Sequence, residues 1–566
     1  MGKTCCVGLT VFVRADAGWT GTGGALRCGM HSCLARFITV ALVSVLIRLA
    51  PAAELTDRWV YLQTNLQVDK NVDDAEALFR RAAKAGYTGV LLADSKLAKL
   101  GDVIPRYHQN LARVKRIAAE TKVEVIPALF HIGYSEAMLW HDPNLAEALP
   151  VKDALMVVQG GVARVKSDSP AELRGGDFAN LKLWAWKDDN LVPDNGALRV
   201  TDAKGANARI AQKLKLTPFR QYHVSVRVKT QDFRGKPEVK LLAGKLGLNH
   251  ADLGVKPTQD WTTHHVVFNS LDQTEATIYF GCWGGGSGSL WWKEPKLEET
   301  ALVNLVRRPG APLSVKREDG TALIEGRDFE RVVDPKSGTV PWNGAFEVWH
   351  EPPLIKTKLP DGTRLRVSFH HVVTVHEGQV MVCPSEPKTV ELLRDEAKRV
   401  HAAWGARSYM MSHDEIRCLN WCAACQQRNL TAGQILADNA RTCVKILREV
   451  NPGGRIFVWS DMFDPNHNAK STGDYYLVRG DLTGSWEGLD KDVGILPWYF
   501  GKRGESLKFF ANRGHPQVIA GYYDAKPEQI QEWLAAGKGL PGVNGVMFTT
   551  WKRNYADLEK FIGATR

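Results

Sequence analysis

Two blocks of this chain repeat a short apolar strand followed by an amphipathic helix, and the block between them does not. In the first, 59–66 (WVYLQTNL), 89–94 (GVLLAD) and 123–130 (VEVIPALF) have the apolar density of buried strands. Residues 73–85 (DDAEALFRRAAKA) and 107–122 (YHQNLARVKRIAAETK) have helical apolar spacing, and Gly86 stops the first of these helices. The rhythm resumes after 360, with strands at 364–373, 406–413, 455–461, 493–499, 517–523 and 543–550 and helices at 387–403 and 431–449. Strands alternating with helices mean parallel β/α units. Nine candidate strands compete for the eight places of a closed (β/α)8 barrel, so either 364–373 or 493–499 is surplus. No G-x-G-x-x-G or Walker A loop supports a doubly wound open sheet instead.

Between about 165 and 305 the helical period disappears. Alternating strands take its place at 222–229 (YHVSVRVK), 263–268 (THHVVF) and 276–281 (ATIYFG), divided by Gly- and Asp-rich turns. This pattern predicts an inserted antiparallel β-sandwich of jelly-roll-like kind. The expected organisation is therefore barrel over 54–160, sandwich over 165–305, a Pro- and Gly-rich connecting segment over 306–360, and the rest of the barrel over 361–566.

Residues 1–53 read as a leader. Arg36 precedes an apolar run from Phe37 to Ile47, and Ala50-Pro51-Ala52 follows as a small-residue cleavage site. The run is too short to span a bilayer, so a cleaved signal peptide is expected, with secretion or periplasmic export as its consequence. Met30 is the expected true start, and 1–29 a mis-assigned extension. The net charge of +11 includes Lys3, Arg14, Arg27, Arg36 and Arg48 against Asp16, which leaves +7 for the remainder. This surplus is spread along the chain rather than gathered in a basic run, so no nucleic-acid partner is expected. No stable membrane span is expected either.

Six cysteines lie beyond the leader: Cys282, Cys383, Cys418, Cys422, Cys425 and Cys443. The C-x3-C-x2-C spacing of Cys418, Cys422 and Cys425 lacks a second ligand pair, and buried thiols or one disulfide are expected there rather than a metal. Neither a metal nor a cofactor is anticipated elsewhere.

In a barrel the chemistry sits where strands end at their C-terminal face. Strand 406–413 runs straight into Asp414 and Glu415 after Ser412 and His413. Glycoside cleavage needs a proton donor at the leaving oxygen and stabilisation of a cationic sugar centre, and two adjacent acids can divide these tasks. Their proximity raises the pKa of one of them. Strand 455–461 ends in Trp459, Ser460 and Asp461, a candidate pocket wall and a candidate ligand for a sugar hydroxyl. Asp464, His467 and Asn468 beyond it are ligand types for a metal, but no further ligand is identifiable, and a hydrogen-bonded turn explains them equally well. Tyr522, Tyr523 and Asp524 end another strand, where a phenol can donate to a carbonyl or oxyanion. Trp551 and Trp498 can floor or wall a pocket; among 18 tryptophans, any one is as readily core as sugar-stacking.

Taken together, Asp414-Glu415, Trp459, Tyr522 or Tyr523 with Asp524, and Trp551 resemble the family 20 glycoside hydrolases, the β-N-acetylhexosaminidases. The resemblance implies a substrate-assisted retaining mechanism in which the substrate's 2-acetamido oxygen is the nucleophile. Asp414 would orient that group, Glu415 would be the general acid/base, and the tyrosine would hydrogen-bond the acetamido carbonyl. His413, Trp459, Asp461, Trp498, Tyr522, Tyr523, Asp524 and Trp551 would line the sugar site, and the partner would be an oligosaccharide, polysaccharide or glycoconjugate. Where that family carries His-x-Gly-Gly-Asp-Glu, this chain has Met411-Ser412-His413-Asp414-Glu415, without the two glycines. The insertion resembles carbohydrate-binding modules of families 4 and 9 through YHVSVRVKT, Gln259-Asp260-Trp261-Thr262 and GCWGGGSGSLWW at 281–292. The alternatives are a glycosidase with two protein carboxylates, Glu415 as the acid and a second Asp or Glu for which Asp461 is the candidate, and a glycan-binding protein without turnover.

Overall fold

The computed structural model describes residues 55–201, 205–250, 252–472 and 474–566; the leader falls outside them. Eight parallel strands close into a barrel: β1 Asp57–Gln63, β2 Gly89–Ala93, β3 Glu124–Leu129, β4 Ser408–Met411, β5 Arg455–Trp459, β6 Gly494–Leu496, β7 Gln517–Ala520 and β8 Val543–Phe548. Each strand shows alternate residues to the barrel axis and to the outer helices. Trp59, Tyr61, Leu91, Ala93, Ile126, Ala128, Met410, Phe457, Trp459, Leu496, Val518, Ala520 and Met547 form the interior cluster. Large and small residues complement one another at its base. A Cβ on Gly89 would sit 2.8 Å from the Trp59 ring, and one on Gly494 would sit 2.3 Å from Phe457. Trp59 meets Phe457 edge-on at 4.7 Å. Arg455 closes this end through Asp57 at 2.9 Å.

The chain leaves the barrel after β3 and returns to it at the helix Pro387–Trp404. The insertion therefore occupies the third strand-to-helix connection, on the face where barrel chemistry is housed. It begins with an antiparallel sheet in which Leu149–Gln159, Val162–Val165, Ser314–Arg317, Ile355–Lys356 and Arg364–His371 take part. This sheet has its own small core around Val151, Met156, Val315, Phe329, Leu365, Val367 and Phe369. Three residue ranges thus differ from expectation, the first being 54–160, whose last strand, Leu149–Gln159, belongs to this sheet and not to the barrel. The strand at 364–373 is the surplus one: it pairs with Leu149–Val157 rather than entering the barrel, while Gly494–Leu496 keeps its barrel place. The 306–360 segment is not merely a connector, because it supplies strands to the same sheet.

The remaining insertion forms two five-stranded antiparallel sheets, one built around Gln221–Arg234, the other around Glu275–Cys282. Inward residues alternate along both, such as Val224, Val226 and Val228 against Ile278 and Phe280. Phe280 meets Trp292 of the facing sheet edge-on at 5.9 Å. Among the described residues no helix is long and apolar enough to cross a membrane.

Candidate active site

Strand parity decides which residues behind β4 can reach the barrel mouth. Met410 points inward, so Tyr409 and Met411 point to the helices. His413 follows this outward set: it is fully buried, and its Nε2 lies 3.0 Å from Asn439 Oδ1 on the helix Ala432–Val450. Burial pushes its imidazole down to about 4. The assignment of His413 to a sugar site is corrected accordingly: it packs strand against helix.

Asp414 takes the inward parity, and burial, followed by the charge of Glu415, pushes its carboxyl up to about 7. Its charge is felt by Tyr61 at the end of β1. Glu415 sits at φ 48°, the left-handed region that costs a side chain roughly 1–2 kcal/mol. Two contacts hold it there. Its amide donates to Asp461 Oδ2 at 2.9 Å, and its carbonyl accepts from Gln379 Nε2 at 2.9 Å. Its carboxylate pairs with Arg417 Nη2 at 2.7 Å through Oε1 and takes a hydrogen bond from the Tyr134 hydroxyl through Oε2. Arg417 is itself buried, donates to Gln379 Oε1 at 2.5 Å and lies 4.9 Å over the Tyr476 ring. Gly133 has no room for a side chain, since a Cβ would come within 2.0 Å of the Asp414 carbonyl.

Asp461 is wholly buried beyond β5. Besides the Glu415 amide it accepts from Asn468 Nδ2 at 3.1 Å, and Trp498 Nε1 approaches its other oxygen at 3.5 Å. Burial, and next the charge of Asp414, hold its carboxyl well above the usual carboxylate range. Three acids thus converge at the ends of two adjacent strands with one guanidinium among them.

Aromatic rings wall this cluster. Trp551 lies 5.0 Å from Tyr61 and 5.8 Å from Trp459. Tyr523 is stacked on Trp498 at 5.2 Å and meets Trp551 edge-on at 5.9 Å. Burial, then the charges of Glu415 and Asp461, push the Tyr523 phenol up to about 12. Tyr522 points the other way, stacked on Phe548 at 4.0 Å with its hydroxyl donating to Asp557 at 3.0 Å. The chain turns left-handed at Tyr523 and Asp524, which sends the two tyrosines apart. Tyr522 is thereby corrected to a packing residue. Both Asp524 oxygens are engaged within the protein: one accepts from the Trp551 amide at 2.7 Å and the other from Thr550 Oγ1 at 2.5 Å, which holds the Trp551 loop.

Asp464 accepts from the Asn466 amide at 2.8 Å and His467 stacks on Tyr499 at 4.4 Å, which makes a turn of that segment. Among the described residues the one set whose ligand atoms converge is Glu147, Cys383, Cys422 and Cys425.

The chain matches no family model and no curated protein. Solved structures are similar in trace. A rhamnosidase from Novosphingobium sp. PP1Y is 12% identical with a TM-score of 0.32, over 88% of this chain and 55% of that one. A Flavobacterium johnsoniae chitobiase is 10% identical with a TM-score of 0.36, over 88% and 45%. A glycoside hydrolase family 20 β-N-acetylglucosaminidase is 8% identical with a TM-score of 0.37, over 91% and 70%. The chain spans about half the length of the rhamnosidase and of the chitobiase. These likenesses are remote, and the chemistry has to be argued from the side chains.

Proposed function

We propose that this protein is a glycoside hydrolase, exo-acting on a terminal N-acetylhexosamine by a substrate-assisted retaining mechanism. The observation that carries the reading is the convergence of Asp414, Glu415 and Asp461 at the barrel mouth beneath Tyr61, Trp459, Trp498, Tyr523 and Trp551. Flat aromatic rings suit the apolar faces of a sugar, and carboxyl groups suit proton transfer and a cationic centre. In this reading Glu415 is the general acid/base. Asp414 orients the acetamido group, and Tyr523 donates to its carbonyl. Asp461 acts as a positioning residue: both its oxygens are engaged, and one holds the strained Glu415 backbone. That occupation disfavours Asp461 as a base or nucleophile.

Substrate must displace Tyr134 or Arg417 from one Glu415 oxygen before a glycosidic oxygen can approach it. Turnover of an aryl N-acetyl-β-hexosaminide, abolished in Glu415→Gln and blocked in the wild type by a thiazoline transition-state mimic, is the expected result. Retained turnover in the variant would sink the assignment.

One observation favours a second reading, with two protein carboxylates. The carboxyl pushed up to about 7 is that of Asp414, whereas Glu415 sits in an ion pair. Asp414 would then be the acid and Glu415 the charged partner. Hydrolysis of sugars lacking an acetamido group, indifferent to thiazoline, would select it. Glycan binding with no turnover on any sugar would leave a binding protein.

The two-sheet insertion is read as a carbohydrate-binding sandwich, and residues 1–53 as an export leader. A mature amino terminus found near residue 53 in the culture medium or periplasm is the expected outcome; a cytoplasmic full-length chain would refute export.

A further inference from the structure

We propose that Glu147, Cys383, Cys422 and Cys425 form a closed structural site for one tetrahedral zinc ion, which locks the neck of the insertion to the loop carrying Glu415.

The four side chains come from three distant parts of the chain. Glu147 lies just before the strand Leu149–Gln159 that leads into the insertion, and Cys383 just before the helix Pro387–Trp404 that resumes the barrel. Cys422 and Cys425 lie in the connection after β4, beyond Glu415 and Arg417, with Cys422 at the N-cap of the short helix Ala423–Gln426 and Cys425 inside it. The ligand atoms all fall within 4.8 Å of one another. Cys383 Sγ is 3.4 Å from Cys422 Sγ and 3.7 Å from Cys425 Sγ, and both of the latter are 3.6 Å from Glu147 Oε2. With Zn–S near 2.3 Å and Zn–O near 2.0 Å, a tetrahedron has edges of about 3.8 Å between sulfurs and about 3.6 Å from sulfur to oxygen. These four spacings, from 3.4 to 3.7 Å, lie within about 0.4 Å of those edges, whereas a disulfide would bring two of these sulfurs to about 2.05 Å.

The surroundings orient the ligands. Glu147 Oε1 is taken by the amides of Trp421 at 3.0 Å and Cys422 at 3.2 Å, which leaves Oε2 for the sulfurs. All four ligands are buried, so no position is left for water, as a structural rather than a catalytic zinc requires. Arg308 supplies positive charge beside the cluster: it is buried, pairs with Glu386 at 2.7 Å, and its Nη2 has no acceptor among the described residues. Three thiolates and a carboxylate exceed the charge of one divalent cation by two, and Arg308, though paired with Glu386, keeps its free Nη2 for a ligand atom. Binding displaces the thiol protons of Cys383, Cys422 and Cys425 to solvent, with no change of oxidation state. Backbone bonds already close the same neck, from the Cys383 amide to Leu145 O and from the Glu147 amide to Met381 O, both at 2.8 Å.

The test is elemental analysis of the full chain purified without chelator, followed by exchange with Co²⁺. The expected result is one zinc per chain, and for the cobalt form the intense visible bands of a tetrahedral ion with thiolate charge transfer. Cys425→Ser and Glu147→Gln should weaken Zn²⁺ binding by roughly tenfold or more, while Cys418→Ser, nearby but outside the set, should keep the metal. Stripping the wild type with a strong chelator should lower Tm by about 5–10 °C, restored by Zn²⁺. Wild-type chain that takes up neither ion, with thiols of this group found alkylatable or joined as a disulfide by mass spectrometry, would overturn the site. Loss of metal in Cys418→Ser with retention in Cys425→Ser would overturn the ligand set. Because the wild-type measurements need no variant, failure of a cysteine substitution to fold does not shield the idea.

Discussion

Charge is handled differently at the barrel mouth and in the insertion. Where the two-sheet unit meets its neighbouring sheet, Arg220 is buried between Glu299 at 2.6 Å and Asp168 at 2.9 Å, and Asp168 is shared with Arg366. Two acids face two guanidiniums. At the mouth, Asp414, Glu415 and Asp461 crowd together, and the one ion pair they make among the described residues is that of Glu415 with Arg417. Left-handed residues gather there as well, with Phe130, Glu415, Tyr523, Asp524 and Arg553 each just beyond a barrel strand. A balanced network serves folding. An unbalanced, strained one costs stability and persists where function selects it.

If the mouth is functional in this sense, its substitutions should damage turnover and spare the fold, and the insertion's should do the reverse. The largest expected effect is Glu415→Gln, a fall of roughly 10³–10⁴-fold in kcat/KM with the fold retained. Its loss of stability should be smaller than that of Arg220→Met, because Arg417 loses its carboxylate while the repulsion with Asp414 and Asp461 is relieved. A parallel loss of folding by calorimetry would erase the contrast. The counterpart is Arg220→Met, which leaves Glu299 without its guanidinium and with the Ser167 hydroxyl on its other oxygen, and is expected to cost about 3 kcal/mol of stability in denaturant unfolding. Turnover per folded molecule should survive it; a kcat loss as large as that of Glu415→Gln would show that the insertion shapes the site.

Asp414→Asn is expected to lower kcat/KM by about 10²-fold and yet raise stability at neutral and alkaline pH. Its carboxyl is pushed up from 3.8 to about 7 in the folded protein. Such a group favours folding fully below the unfolded value, and that contribution is lost as pH rises through about 7. Asparagine does not titrate, so the Tm gap between variant and wild type should open between about pH 4 and pH 8. A gap of the opposite sign would mean that the acid is not desolvated.

How much of this was legible in the sequence follows from what each residue's signal depends on. β2 and β4 are buried at every position, as their unbroken apolar runs imply, while Arg364–His371 alternates buried and half-exposed residues. That period of two is the mark of an antiparallel strand with one wet face, and counting it would have removed the ninth strand. Parity from Met410 would likewise have sent His413 outward and Asp414 inward. The split between Tyr522 and Tyr523 is not readable that way, because the left-handed turn resets the parity. Tyr134, Gln379 and Arg417 were missed for a different reason: Tyr134 reaches Glu415 across 281 residues, and no local pattern encodes such a meeting. The cysteines repeat this lesson, since the ligands that complete Cys422 and Cys425 come from 39 and 275 residues earlier in the chain.

The smallest expected effect bears on whether the insertion has a ligand of its own. Trp292, which ends the stretch at 281–292 that resembles carbohydrate-binding modules, is core, while Trp186, Tyr279 and Trp283 lie along one sheet with Tyr279 6.5 Å from Trp186 and 6.2 Å from Trp283. Trp186 is 41% exposed on the edge strand, with the Arg209 guanidinium 4.7 Å from its ring. Losing that exposed ring should cost less than about 1 kcal/mol of stability. If the row of rings receives a glycan, Trp186→Ala should weaken retention on an insoluble polysaccharide about fivefold, the worth of one stacking contact of ~1 kcal/mol, and leave hydrolysis of a small aryl glycoside untouched. Unchanged retention on every polysaccharide tried would make the two sheets a scaffold, and would confine recognition of sugar to the unbalanced charges at the barrel mouth.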